Sequence, residues 1–318
     1  MKPYILSYTD LFNTQRNIGE EIKSALCNSG ILGVRDVPGF VAASLAYIQA
    51  ARAFSSLPAE IKNRYAPHRD SGETEGYELG AEWFKDQNNE WQIDDKKASY
   101  YAFVPDDPRN KWPAEINLKS AYLHLGELIF QTGKELLNFI GLNETLGIHL
   151  HQLVGYGRML HYLKESDATN DYPNWCGAHY DHGVFTGLMP AYYFRDGIEV
   201  AEPEEAGLFI KPTNQHDFVK IEAHDKSVLL FQVGEFGQLA SHDQIRATEH
   251  CVKKAKGNIE RYTFALFNSA ADEALIQSRS VLAQDARYSE HVTQNDRICY
   301  RDWQAASFAR YRASSSGK

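Results

Sequence analysis

From Leu153 onward the chain breaks into short β-rich segments: Arg158–Leu163, Gly183–Met189, Gly207–Lys211, Phe218–Ile221, Val228–Val233, Ala247–Val252 and Tyr262–Phe267. Turn residues separate them. So many short strands can bury their apolar sides only against one another, which predicts a sandwich or a barrel. Before this stretch the periodicity is helical. Leu118, Tyr122, Leu125, Ile129, Leu136 and Phe139 form one apolar stripe of a helix over 118–140, ended by Gly141.

The N-terminus reads as a strand Tyr4–Ser7, a helix carrying Ile18, Ile22, Ala25 and Leu26 that stops at Gly30, and a strand Ile31–Val37. A helix over Val41–Phe54 and a short one restarting at Pro58 follow. Residues 66–116 read as an irregular segment whose aromatics, Tyr77, Trp83, Phe84, Trp91, Tyr100 and Tyr101, suit a packed lid. The stretch Ala191–Ala206 is expected to form a flap, Ala286–Tyr311 a return to helix, and Ser314–Lys318 a disordered tail.

With 318 residues, 43% of them hydrophobic, the chain can bury a full core. No Pro/Gly/Ser-rich linker or charge block divides it, so one domain over 1–318 is expected. The net charge of −9 and the lack of a long Lys/Arg run argue against a nucleic-acid partner. Cys27, Cys176, Cys251 and Cys299 are far apart and form no CxxC pair, as suits reduced thiols. The start MKPYILSYTD has no apolar signal core, and no run of 18 apolar residues occurs. A cytoplasmic protein without a membrane span is the expectation. Its oligomeric state cannot be read.

The chemistry lies in Gly177-Ala178-His179-Tyr180-Asp181-His182-Gly183. In an extended chain His179 and Asp181 share a face, because side chains alternate with period two. His182 then faces away and is left a supporting role. A third donor must come from elsewhere, and His250 lies in a later strand-like segment. Two histidines and one carboxylate leave three positions of an octahedral ion open, the donor set of non-haem Fe(II) oxygenases. Eleven residues beyond His250 comes Arg261-Tyr262-Thr263, with Arg261 and Thr263 on one face. An arginine inside an apolar strand requires an anionic partner, which a guanidinium can grip through two parallel hydrogen bonds.

The series His179-x-Asp181, His250, Arg261-x-Thr263 resembles the H-x-D…H…R-x-S/T signature of 2-oxoglutarate- and Fe(II)-dependent oxygenases, in the branch similar to isopenicillin N synthase. The likeness extends to Leu57-Pro58-Ala59-Glu60-Ile61-Lys62, Gly76-Tyr77, Asn110-Lys111-Trp112-Pro113 and Arg158-Met159-Leu160-His161-Tyr162. Three departures stand out. Leu163 replaces the usual proline after Tyr162, Thr263 stands where serine is commoner, and Ser241-His242-Asp243 replaces Ser-Asn-Gly, making His242 a rival third ligand.

The resemblance implies an α+β fold with a mainly β core. Its centre is a double-stranded β-helix, or jelly roll, over 151–285. A helix-rich region 1–150 with a long backing helix precedes it, and a C-terminal helix and tail, 286–318, follow. It implies Fe(II) on His179, Asp181 and His250, 2-oxoglutarate on Arg261, Thr263 and Tyr162, and O2 as oxidant. The reaction implied is oxidation of a small organic substrate, by default hydroxylation, with release of succinate and CO2. A 2-oxoglutarate-independent oxidase on the same fold and a catalytically silent iron-binding regulator are the alternatives. A zinc hydrolase on these donors would not need Arg261.

Overall fold

The computed structural model describes residues 1–13, 18–80, 83–85, 91–141, 153–164, 173–285 and 297–309. Two sheets face each other. In the larger, neighbouring strands run in the order Tyr4–Ser7, Ile31–Arg35, Leu229–Val233, Phe185–Leu188, Ile259–Ala270, Leu153–Tyr162, Lys97–Val104 and Gly76–Leu79. The smaller holds Val219–Lys220, Gly207–Lys211, Glu249–Lys253 and Asn174–His179. Between Leu153 and Ala270 the chain passes repeatedly from one sheet to the other, which is the winding of a jelly roll.

The helix Leu118–Phe139 backs the larger sheet. Leu118, Tyr122, Leu125, Ile129 and Leu136 are all fully buried, as the stripe predicts, and Asn117 caps the start by accepting from the Ser120 amide. Close approach of helix to sheet depends on Gly187: a Cβ there would meet Ile129 Cγ2 at 2.2 Å. The helix Phe40–Ser55 packs on the long helix, and the expected N-terminal elements are all present. No helix among the described residues is long and apolar enough to cross a membrane.

Two expectations are corrected. Within 66–116 the chain supplies the strands Gly76–Leu79 and Lys97–Val104, and the latter pairs with Leu153–Tyr162 along eight residues. Buried on both sides over most of its length, Lys97–Val104 shows no clean alternation and so gives no strand signal. Tyr77 and Tyr100 pack edge-on against Phe54 in the core rather than over an opening. The stretch 191–206 is likewise no flap. Tyr192–Arg195 and Ile198–Val200 form a hairpin, turned at Asp196 and Gly197, whose first strand joins the larger sheet beside Ile259–Ala270. Of the stretch read as C-terminal helix, the described residues hold the strand Arg297–Cys299 and the helix Tyr300–Ala309, and 286–296 and the tail 314–318 lie outside the described residues.

Candidate metal centre

The strand Asn174–His179 pairs with Glu249–Lys253 so that His179 stands opposite His250. Asp181 lies just past the strand end, and its Oδ1 sits 3.8 Å from His179 Nε2 and 3.8 Å from His250 Nε2. One donor atom from each residue lies within 4.8 Å of the others, the one such cluster of His, Cys, Asp and Glu among the described residues. The far ring nitrogens are tied to backbone, His179 Nδ1 to Gly177 O at 2.8 Å and His250 Nδ1 to Thr248 O at 3.0 Å. A proton donated from Nδ1 leaves the Nε2 lone pair facing the cluster centre, as metal ligation requires.

The electrostatics agree. Burial and the neighbouring His179 push His250 below the usual imidazole range, favouring the neutral, ligating form. Burial alone would raise Asp181, but His250, His179 and the Thr186 hydroxyl together hold it below the usual carboxylate range. The second carboxylate oxygen, Oδ2, accepts from Thr186 Oγ1 at 2.6 Å and Gln232 Nε2 at 3.1 Å. The loop after Asp181 is fixed by the helix Glu235–Ala240, whose first amides donate to the carbonyls of Asp181, His182 and Gly183. Gly234 permits this contact, since a Cβ there would meet Gly183 O at 2.2 Å.

His182 points to the other side, where its Nδ1 contacts the Ser307 hydroxyl of the C-terminal helix. His242 is exposed, in a left-handed turn, and its Nδ1 accepts from the Arg279 amide. It stands apart from the cluster.

Arg261 and Thr263 are buried and line the same cavity between the sheets as His179, Asp181 and His250. Arg261 is flanked on its neighbouring strands by Tyr193 and Tyr162. Its Nε donates to the Tyr193 hydroxyl at 3.2 Å, and its guanidinium carbon lies 5.0 Å from the centre of the Tyr162 ring. Nη1 is buried with no hydrogen-bond partner among the described residues. Glu202 lines the cavity too, but its Oε1 is held by Lys220 Nζ at 3.0 Å. Burial pushes the phenols of Tyr193 and Tyr162 up to about 12, so both keep their protons near neutrality. The Thr263 hydroxyl donates to Met189 O at 2.6 Å.

Tyr193, Thr186 and Gln232 were not singled out in the sequence. Tyr193 lay in the supposed flap, and its pairing is long-range. The other two carried a faint signal, each a lone polar residue in an apolar strand.

No family model matches the sequence, and no curated protein does. Solved structures do. A full-length Neurospora crassa protein, crystallised with alpha-KG, superposes with a TM-score of 0.72 at 19% identity, over 96% of this chain and 95% of that one. A Caulobacter crescentus protein assigned to the 2OG-Fe(II) oxygenase family gives 0.74 at 19% identity, over 96% and 98%. The rice dioxygenase for auxin oxidation gives 0.68 at 17% identity, over 96% and 95%. The chain has the fold of the 2OG-Fe(II) oxygenases. That fold is the double-stranded β-helix expected from the signature, and identities this low speak to fold alone.

Proposed function

We propose that this protein is an Fe(II)- and 2-oxoglutarate-dependent dioxygenase that hydroxylates a small organic substrate and releases succinate and CO2. The observation that carries the reading is the buried, unpartnered Nη1 of Arg261 in the cavity that also holds the His179–Asp181–His250 cluster. A buried guanidinium edge without an acceptor is costly, and a dicarboxylate reaching from the cluster to Arg261 would satisfy it. Zinc hydrolysis on the same donors leaves that edge unexplained. Among the structural neighbours, the Neurospora crassa protein has been crystallised with alpha-KG and thymine, and JOX2 with 2OG, Fe and JA.

The residues fit the groups the reading requires. His179 Nε2, His250 Nε2 and Asp181 Oδ1 would hold iron, two nitrogens and one oxygen being the facial donor set. Iron with bound 2-oxoglutarate would activate O2, the oxidant of the reaction, with 2-oxoglutarate supplying two of the electrons as it becomes succinate and CO2, and the protein supplies position and surroundings. Arg261 Nη1 would take one oxygen of the distal carboxylate, with Tyr162, whose ring lies against the guanidinium, lining the same cavity. Tyr193 fixes the guanidinium from behind through Nε. Leu160, Leu188, Leu230 and Val252 line the cavity with apolar surface that excludes water from the reacting region.

The test is succinate release and O2 consumption by the Fe(II)-loaded protein with 2-oxoglutarate, alone and with a panel of small organic substrates. Uptake of O2 without 2-oxoglutarate consumption would refute the co-substrate.

A further inference from the structure

Asp181 offers one oxygen to the cluster because the other is already taken. Its side chain is buried, and Oδ2 accepts two hydrogen bonds, from Thr186 Oγ1 at 2.6 Å and Gln232 Nε2 at 3.1 Å. Thr186 and Gln232 are themselves almost fully buried, and they stand opposite each other on the adjacent strands Phe185–Leu188 and Leu229–Val233.

We infer that Thr186 and Gln232 are positioning residues that restrict Asp181 to single-oxygen ligation. This rests on the metal reading given above. A carboxylate can bind a cation through one oxygen or both. With Oδ2 held by two buried donors, the second mode costs both bonds. Single-oxygen ligation leaves three positions of a six-coordinate ion open, and a chelating carboxylate leaves two. A bidentate co-substrate and a third reactant need all three. The two donors therefore act on the number of open positions, while Oδ1 and the histidines determine that a metal binds at all. Loss of a hydrogen bond to a ligating carboxylate generally costs about 10- to 100-fold in metal affinity.

The experiment uses the full chain loaded with Mn(II), without 2-oxoglutarate, so failure of the co-substrate reading leaves it untouched. Line broadening of the Mn(II) resonance in 17O-water counts the bound waters. The wild type should hold three. Thr186→Val, which keeps the shape and removes the hydroxyl, should hold two and bind Mn(II) about 10- to 100-fold more weakly. Thr186→Ser should restore both values. Gln232→Met should shift the count the same way, and it carries the test if Thr186→Val does not fold. A Thr186→Val protein that keeps three waters overturns the inference, whatever its affinity. So does a Thr186→Ser protein that behaves like Thr186→Val, which would make Thr186 a packing residue. A wild type that binds no Mn(II) overturns the metal reading and this inference with it.

Discussion

Tyr193 and Arg261 face each other across two antiparallel strands, and the Tyr193 hydroxyl accepts the Nε–H of Arg261 at 3.2 Å. That bond uses the back of the guanidinium and leaves its Nη1 side to the cavity. A hydrogen bond to a buried charge contributes about 1.5–3 kcal/mol. Tyr193→Phe should therefore raise the KM for 2-oxoglutarate about 10- to 150-fold, with Fe(II) affinity unchanged. Titration of succinate release against 2-oxoglutarate measures it, and an unaltered KM would show that Tyr193 does not orient Arg261.

Arg261 itself should matter more. Removing one partner of a buried charge pair costs roughly 2–5 kcal/mol, or about 30-fold to several thousand-fold in affinity. Arg261→Ala should raise the KM by at least the lower factor. Arg261→Lys should rescue it poorly, since an ammonium lacks the planar fork. Thr263→Ala should act differently. Its hydroxyl is spent on Met189 O, so the loss should appear in thermal stability rather than in KM. A KM effect of Thr263→Ala equal to that of Arg261→Ala would contradict this division.

The ligand assignment predicts a sharp contrast between two histidines. His250→Ala should abolish stoichiometric Fe(II) binding in anaerobic dialysis, and His242→Ala should leave it intact, because His242 is turned away on an exposed bend. The reverse pattern would require a different third ligand.

His161 gives a pH dependence away from the cluster. It is stacked on Tyr262 and bonded to Glu260 at 2.8 Å. Burial lowers its pKa in spite of that carboxylate, and Glu260, which burial alone would raise, is held low by the His161 bond. Both shifts suit a neutral imidazole donating to a charged carboxylate. Near pH 6.5 the unfolded chain takes up a proton at His161 that the folded chain refuses. This contribution to stability is full above that range and declines as pH falls through it. Between pH 7.5 and 5.5 the wild-type Tm should fall more steeply than that of His161→Phe, which keeps the stack. Parallel slopes would rule out His161 as a source.

Gly187→Ala tests the helix–sheet contact. The added methyl would sit 2.2 Å from Ile129 Cγ2, and neither backbone can give way freely. Overpacking of this kind costs roughly 1–3 kcal/mol, so Tm should drop by about 2–12 °C. In an Ile129→Ala background, where the clashing Cγ2 is gone, Gly187→Ala should cost less, and an equal cost there would place the strain elsewhere.

Much of this was legible in the sequence, for reasons that differ residue by residue. His179 and Asp181 could be paired because period-two alternation is local, even though the strand stops at His179. The stripe from Leu118 to Phe139 could be read because a helix repeats its own signal. Lys97–Val104 could not, since a strand with both faces covered loses its alternation. Tyr193 and Gln232 were hidden for another reason. Each acquires its role from a partner far along the chain, Arg261 68 residues from Tyr193 and Asp181 51 from Gln232, and no local pattern encodes that meeting.

The strand Ile259–Ala270 changes partners part-way along one edge, from Tyr192–Arg195 at its start to Phe185–Leu188 further on. Between the two, the Met189 amide donates to Phe264 O and the Thr263 hydroxyl donates to Met189 O. The segment from Met189 to Ala191 is therefore a spacer of fixed length. Adding or deleting one residue there would slip Tyr192–Arg195 by one place and turn Tyr193 to the opposite face of the sheet. The Asp196–Gly197 tip, which bears no such register, is where related chains have freedom to grow, and differences in hairpin length should collect at that tip and avoid the spacer.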